Sequence, residues 1–137
     1  MPTYFDSSVV ISLIANDTYS QKAFELWHNE YNRVSSNLLV IECYTVLRRL
    51  TEMHSMQSTI FFTRLNEIIE EISLKDVDND IIEIVKQTPE LSDCHSLDTV
   101  HVATAQYFAS FSDEPFYLAT FDERMLKAAT AVGLQTV

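Results

Sequence analysis

The sequence predicts an α/β fold, a three-layer α/β/α sandwich with a mostly parallel central sheet, and three observations support this prediction. Short strand-like runs alternate with longer segments of helical periodicity, which is typical of a parallel sheet covered by helices. The most strand-like run, Phe116–Phe121, is almost continuously apolar, as strands buried on both faces are. The chain has 137 residues, of which 47% are hydrophobic, so we expect residues 1–137 to form one domain with its own core.

The first half of the chain contains two short strands and four helical segments. Thr3–Phe5 is strand-like and ends at Asp6, after which Ser7 and Ser8 can cap a helix over Val9–Ile14. The elements that we predict next are a helix from about Tyr19 to Tyr31, a strand Arg33–Ser36, a helix from about Leu38 to Met53 and a helix from about Met56 to Ile72.

The second half continues the alternation and has clearer end signals. The predicted elements are a strand Ser73–Val77, a helix Asn79–Gln87 ended by Pro89, a helix from Ser96 to about Phe111, a strand Phe116–Phe121, a helix from about Glu123 to Ala131 and a strand Leu134–Val137. Ser96 can cap its helix, and the lone glycine, Gly133, ends the last one.

The charge balance is strongly acidic, with twenty acidic and nine basic residues and a formal net charge of −11. Strong non-specific binding of nucleic acid needs Lys and Arg to neutralise phosphates, so this balance argues against it. An acidic chain of this kind either avoids polyanions or binds cations that change the local sign of the charge.

The sequence also predicts the cellular compartment of the protein. Its apolar runs are shorter than the ~18 residues that a membrane span needs, and it begins without the basic and apolar regions of a signal peptide. Cys43 and Cys94 have no metal-like spacing, which favours buried thiols in a reducing cytoplasm. We therefore expect a cytoplasmic protein without a membrane partner.

Two acids stand directly after apolar strands. Asp6 follows Thr3–Phe5, and Asp122 follows Phe116–Phe121. In open parallel sheets, ligands bind beyond the carboxyl ends of the strands, so both acids are candidates for a functional site. Taken singly, each also fits a plain helix cap.

Two further acids lie on helix faces that are otherwise apolar. Glu42 stands about 60° from the centre of the apolar stripe of its helix. Asp98 shares a helix face with Val102 and Ala105, although a first-turn acid favoured by the helix dipole is the alternative. Carboxylates in such positions need partners, because an unpaired buried charge is costly.

Convergence of these four acids predicts a metal site. At about 5 Å, each pair of carboxylates repels by roughly 3 kcal/mol at an effective dielectric constant of about 20. Oxygen ligands favour Mg²⁺ or Mn²⁺, and two such ions would change the formal charge from −11 to about −7. Carboxylate-bound divalent ions can activate water for phosphodiester hydrolysis without a side-chain nucleophile.

Four segments resemble, in order, the motifs of the PIN-domain nucleases. Tyr4–Ser8 is similar to their opening motif, and Glu42 lies about one turn into a long helix, as their second acid does. Leu97–Ala105 is similar to their third and most specific motif, and Thr120–Leu126, followed by Gly133, looks like the fourth. The resemblance covers nearly the whole chain with similar spacing.

This resemblance implies Mg²⁺- or Mn²⁺-dependent cleavage of an RNA substrate on a PIN-like fold. The catalytic and metal-binding set that it implies is Asp6, Glu42, Asp98 and Asp122, with Thr120 as a helper that hydrogen-bonds a ligand or water. Small members of the family are commonly toxins of VapC-type toxin–antitoxin pairs. The resemblance therefore also implies a homodimer and a cognate antitoxin that closes the acidic pocket.

Other residues have less distinctive patterns. Arg49 lies on nearly the same helix face as Glu42 and could contact a neighbouring phosphate, whereas Arg48 points away from that face. Arg124 could contact RNA or be a solvated helix residue. The position of His101 on an apolar face favours a hydrogen-bonded core histidine over a metal ligand.

Two rival functions are compatible with parts of the pattern. Aspartyl-phosphate phosphatases also use a strand-end Asp, but they place a second acid two residues later, where this chain has Ser8. A catalytically silent PIN-like module that binds metal or protein would explain the strong acidity. The complete acidic set favours the enzyme, because a silent module would not need it.

Overall fold

The computed structural model describes residues 1–30, 32–54 and 58–137. Within these residues, five parallel strands form one sheet in the order β3-β2-β1-β4-β5. The strands are β1 (Thr3–Phe5), β2 (Arg33–Ser36), β3 (Ser73–Lys75), β4 (Tyr117–Ala119) and β5 (Gln135–Thr136). The predicted α/β fold with a parallel sheet is confirmed.

Helices connect the strands. They are α1 (Ser7–Ile14), α2 (Ser20–His28), α3 (Leu38–His54), α4 (Ser58–Glu70), α5 (Asn79–Gln87), α6 (Ser96–Ser110) and α7 (Glu123–Ala131), with a short 3-10 helix at Pro89–Asp93. The predicted end of the second helix at Tyr31 and the predicted start of the fourth at Met56 lie outside the described residues. In the part of the chain that the structure describes, no helix combines the length and apolar character that crossing a membrane requires.

Helix starts differ from the prediction at two places. The cap of α1 is Asp6, whose side chain accepts a hydrogen bond from the backbone N–H of Ser8, so Ser7 and Ser8 lie inside the helix. The cap of α6 is His95, and Ser96 is the first helical residue. An aspartate that follows a strand directly is already in the extended conformation that a cap residue adopts, and the helix therefore begins immediately after Asp6.

Strand β4 is shorter than the predicted Phe116–Phe121. It ends at Ala119 because the backbone N–H groups that follow bind side chains instead of continuing the ladder. The N–H of Phe121 donates to Ser8 Oγ, and that of Asp122 donates to Thr120 Oγ1, both at 3.0 Å.

The helices pack in two layers, and β1 contributes to both. Phe5 faces a core that α1, α2, α3 and α4 cover, whereas Tyr4 faces the core under α5, α6 and α7. This division follows from the alternation of side chains along a strand. Strand β1 is also the topological switch point of the sheet. The strands that follow it in sequence, β2 and β3, lie on one side of it, and the last two strands, β4 and β5, lie on the other. Ligand sites in open sheets lie at such a switch point.

Helix α7 ends in a Schellman turn at Gly133. The N–H of Gly133 donates to the carbonyl of Thr130, and the N–H of Leu134 donates to that of Ala129, both at 3.0 Å. The φ angle of Gly133 is +81°, in the left-handed region that favours glycine. This turn lets the chain reverse into β5.

Candidate metal centre at the end of β1

Four elements bring polar side chains together beyond the carboxyl end of β1. Asp6 follows β1 and Thr120 follows β4, and these strands are adjacent and parallel. Glu42 comes from the second turn of α3, and Asp98 and His101 come from the first two turns of α6. Because α3 and α6 lie in opposite layers, their side chains meet only past the edge of the sheet.

The centre of this site is a cluster of Asp6, Glu42 and His101. One ligand atom from each residue lies within 4.8 Å of the others. His101 Nε2 hydrogen-bonds Glu42 Oε1 and lies 3.7 Å from Asp6 Oδ1. Asp6 is 4% exposed and His101 fully buried, whereas the Glu42 side chain is 20% exposed, so the cluster opens to solvent on the side of α3.

His101 is held from both sides. Its Nδ1 lies 2.5 Å from the hydroxyl of Tyr4, which is also fully buried. Burial lowers the pKa of His101, but the hydrogen bond to Glu42 and the charges of Asp6, Glu42 and Asp98 outweigh it, and the pKa is raised above its ordinary value. Burial also raises the pKa of Tyr4 well above its usual range, so its hydroxyl keeps its proton.

Two hydroxyl groups hold the carboxylate of Asp6. Ser8 Oγ and Thr120 Oγ1 both donate to Asp6 Oδ2 at 2.8 Å. Each hydroxyl in turn accepts a backbone N–H, from Phe121 and Asp122 respectively. With Oδ2 engaged in this way, Oδ1 faces His101.

Asp98 lies near the cluster, and one of its carboxylate oxygens makes no hydrogen bond to the described residues. It is 7% exposed, and its Oδ2 is buried with no hydrogen-bond partner among the described residues. Burial raises the pKa of Asp98, with Asp122 and then Asp6 adding to the effect, while Arg124 and His95 oppose it. A buried oxygen of this kind is a position where a cation would supply the missing interaction.

Asp122 lies at the rim and caps a helix. Its Oδ1 accepts from the backbone N–H of Arg124 at 2.9 Å, and its side chain is 34% exposed. Its charge contributes to the raised pKa of Asp98, so Asp122 lies near Asp98, and it is not a member of the cluster of Asp6, Glu42 and His101. Arg124 is exposed, with Nη1 lying 3.1 Å from His95 Nε2.

The basic residues of α3 lie on its outer side. Arg48 and Arg49 are both exposed and line one shallow groove with Ile41 and Tyr44. Arg48 also lies over the ring of Phe62, 5.9 Å from its centroid. The two arginines therefore share a surface, although the helical wheel places them on different faces.

The donor set suits a divalent cation. Two carboxylates and an imidazole offer atoms at mutually close distances, and Asp98, whose buried Oδ2 has no partner among the described residues, lies near enough for its charge to raise the pKa of His101. Carboxylate oxygens are the ligands that Mg²⁺ and Mn²⁺ prefer, and imidazole also binds transition metals. The residues present thus fit a metal ion.

Comparison with known proteins decides the family. The model of the PIN domain matches residues 3–131, which include every acid described above. The chain belongs to the PIN-domain family. This PIN domain is also similar in structure to a chain of a toxin–antitoxin complex from Klebsiella pneumoniae, with a TM-score of 0.67 and 17% identity, covering 98% of this chain and 95% of that one. A search of curated proteins finds no match.

Sequence reasoning missed three residues of this PIN-domain site. The interpretation of His101 as a buried, hydrogen-bonded histidine agrees with the structure, but its partner is Glu42 of the cluster. Its spacing of three residues from Asp98 was the signal, since it places both on one face of α6. Tyr4 carried no comparable signal, because its contact is with His101, far away in the chain, whereas Ser8 contacts both Asp6, two residues away, and the distant Thr120.

Proposed function

We propose that this PIN domain is an endoribonuclease that depends on Mg²⁺ or Mn²⁺ and hydrolyses RNA phosphodiesters with water in the cytoplasm. The observation that carries the proposal is the cluster of Asp6, Glu42 and His101, together with the buried oxygen of Asp98 that has no partner in the described part of the chain. Membership of a family whose members are generally nucleases supports it.

The residues proposed to hold the metal are Asp6, Glu42, Asp98 and Asp122. When bound, Mg²⁺ or Mn²⁺ lowers the pKa of water and offsets the charge that develops on the phosphate. The hydrogen bond from His101 fixes the Glu42 carboxylate toward Asp6. This positioning of the carboxylates matters because side chains that are already in place lose less conformational entropy when they bind a metal ion.

Thr120 is proposed as a positioning residue in this site. Its hydroxyl donates to Asp6 Oδ2 and accepts from the N–H of Asp122, so it couples the orientation of one acid to the backbone of another. Arg124, at the rim beside Asp122, is proposed to contact RNA, and so is Arg49 on the outer face of α3. These are two of the nine basic residues that could offset the repulsion between the acidic chain and RNA.

We further propose that the protein is a VapC-type toxin that works as a homodimer and is silenced by an antitoxin. The similarity to a chain from a toxin–antitoxin complex supports this role. The gene immediately upstream should encode a short DNA-binding protein. Co-expression of that protein should yield a stable complex without nuclease activity, and light scattering of the free PIN domain should give twice the mass of the chain.

The alternative is a catalytically silent module that binds a metal ion or a protein. The formal charge of −11 favours this alternative, because it opposes RNA binding. The two functions differ in one measurable property: only the enzyme cleaves RNA in a manner that depends on the acids of the cluster.

The experiment that tests the nuclease compares variants on a mixed RNA pool in the presence of Mn²⁺. We expect Asp6→Asn and Glu42→Gln to lose at least about 2–4 kcal/mol of transition-state stabilisation, by analogy with the loss of a key electrostatic group. Asn at position 6 keeps an oxygen that can cap α1, so the fold is preserved. EDTA should abolish cleavage by the wild type.

The matched control is Asp80→Asn, which removes an exposed acid from the first turn of α5. It should cleave at the wild-type rate. Equal cleavage by wild type and Asp6→Asn would identify a contaminating nuclease and end this proposal. Metal binding by calorimetry without any cleavage would favour the silent module.

A further inference from the structure

A pair of aromatic rings lies at the rim of the carboxylate site. Tyr19 stacks on Phe121, with ring centroids 4.8 Å apart and planes inclined by 19°. Phe121 is half-buried and packs against the core under α1, whereas Tyr19 remains 53% exposed. One face of the Tyr19 ring therefore covers Phe121, and much of the remaining ring surface is open to solvent.

The position of Phe121 ties this pair to the site. Phe121 stands between Thr120 and Asp122, each one Cα step of about 3.8 Å away. Its N–H donates to Ser8 Oγ, and the same hydroxyl donates to Asp6 Oδ2. The backbone that carries the Phe121 ring is thus joined to the carboxylate of Asp6 through two consecutive hydrogen bonds.

The loop that carries Tyr19 is held in place before any ligand arrives. The N–H of Tyr19 donates to Asp17 Oδ1, and Ser12 Oγ donates to Asp17 Oδ2, both at 2.9 Å. Ser20 Oγ lies 2.7 and 2.8 Å from the carbonyl oxygens of Ser12 and Ala15, which share its single hydrogen as acceptors. These bonds order the backbone at Tyr19, and the stack on Phe121 orders its ring, so a flat ligand binds there at a smaller cost in entropy.

The charge of the chain points to the kind of ligand. With nine basic and twenty acidic residues, the protein has few side chains with which to neutralise phosphates. Aromatic rings add an uncharged contribution to the binding of single-stranded nucleic acid, because every base has a face that can stack. Unpaired bases in RNA loops are the groups that proteins usually recognise by stacking.

We propose that Tyr19, supported by Phe121, is a stacking platform for an unpaired nucleobase next to the phosphodiester that is cleaved. This inference rests on the proposed nuclease function and adds to it a binding subsite that holds single-stranded RNA. It assigns to uncharged stacking a share of the affinity that basic residues supply in other nucleases.

The experiment uses a short single-stranded RNA whose cleaved bond has been mapped with the wild type in Mn²⁺. Tyr19→Leu should lower kcat/KM about five- to hundredfold, which corresponds to the loss of one base–aromatic stack. Tyr19→Phe and Tyr19→Trp keep a ring and should stay within about twofold of the wild type. The control Phe111→Leu removes a ring that is 72% exposed near the opposite end of α6, and it should change nothing.

A second substrate tests whether the lost partner is a base. An abasic site at one nucleotide flanking the cleaved bond should slow the wild type by the same factor as Tyr19→Leu, and should not slow Tyr19→Leu further. Equal losses from the abasic site in both proteins would overturn the proposal, as would wild-type kcat/KM in Tyr19→Leu.

A third measurement does not depend on the folding of a variant. RNA that carries 2-aminopurine at the flanking position should lose fluorescence when it is mixed rapidly with wild-type protein, before cleavage occurs. An unchanged signal at every flanking position would refute the stack while leaving the nuclease intact. Absence of any cleavage by the wild type would instead refute the proposed function.

Discussion

Replacing Asp98 with asparagine is expected to stabilise the metal-free protein. The carboxylate is 7% exposed, and its Oδ2 has no hydrogen-bond partner in the described parts of the chain. Asp122 and Asp6 add repulsion to the cost of burial. The neutral amide has nearly the same shape, so the substitution removes the charge and leaves the packing in place.

The magnitude follows from two opposing effects. An unpartnered buried polar group costs about 1–3 kcal/mol and a charged one costs more, and because the amide is still a polar group, the variant relieves only the additional cost of the charge. Asp98 lies in the first turn of α6, where a negative charge gains about 0.3–1 kcal/mol from the helix dipole, and the variant loses this gain. We expect a net stabilisation of about 1 kcal/mol, or about 3–5 °C in Tm for a chain of this length.

The pH dependence has a definite sign. Because the pKa of Asp98 is raised in the folded state, ionisation disfavours folding. The penalty is absent below the pKa of the unfolded chain, about 4, and complete above the raised pKa of the folded state. The stability of the wild type should therefore fall relative to Asp98→Asn as the pH rises through this window, and the two proteins should be equally stable in acid.

Thermal unfolding in EDTA from about pH 3.5 to 8 measures this difference. The control is Asp80→Asn, since Asp80 is also a first-turn acid but is 68% exposed and lies 3.9 Å from Lys75 Nζ. It should be neutral or slightly destabilising at every pH. A lower Tm for Asp98→Asn at neutral pH would refute the expected stabilisation and show that the helix dipole outweighs burial and repulsion at this position.

Three further predictions concern other parts of the molecule. Thr120→Val removes the hydroxyl that donates to Asp6 and should lower Mn²⁺-dependent RNA cleavage about tenfold or more, whereas Thr120→Ser should retain it; equal rates for both would contradict the positioning role. Burial raises the pKa of Cys43 and Cys94, so in a thiol-labelling assay at pH 8 half-buried Cys94 should react slowly and fully buried Cys43 only after unfolding in urea; rapid labelling of native Cys43 would refute its burial. Gly133→Ala places a Cβ at a φ of +81° and should cost about 1 kcal/mol in urea unfolding, even though no atom lies within 4 Å of that Cβ; an unchanged midpoint would show that the turn adapts.

The elements that sequence predicts best are those with strong local end signals. Helix α7 begins after Asp122, which accepts a hydrogen bond from the N–H of Arg124, and it ends before the glycine of a Schellman turn. Helix α5 begins after Asp78, which caps it in the same manner. Both helices have the predicted bounds, because residues within one turn determine where they start and stop.

Strand ends depend on partners elsewhere in the chain and are predicted less well. The apolar run Phe116–Phe121 contains no local signal for the end of β4. The strand ends at Ala119 because Ser8, more than a hundred residues away, accepts the N–H of Phe121. The hydrophobic pattern predicts which residues are buried, but it does not predict which acceptor a backbone N–H will bind.

The candidate site divides in the same way. Patterning predicts that Asp6 and Glu42 lie near one end of the sheet, because each position follows from its own strand or helix. It does not predict the hydrogen bond between Glu42 and His101, which come from opposite layers and are 59 residues apart. A helical wheel predicts the direction of the Glu42 side chain, but its partner His101 depends on how the two helix layers pack beyond the end of β1.

The hydrogen bond between Glu42 on α3 and His101 on α6 has a consequence for the synthesis of the chain. The cluster joins residues 6, 42 and 101, and the hydroxyl that secures Asp6 comes from residue 120. A ribosome must therefore have added most of the polypeptide before this constellation can assemble. Truncated or nascent fragments that lack α6 cannot form the cluster, so the arrangement of Asp6, Glu42 and His101 is late in synthesis as well as in folding.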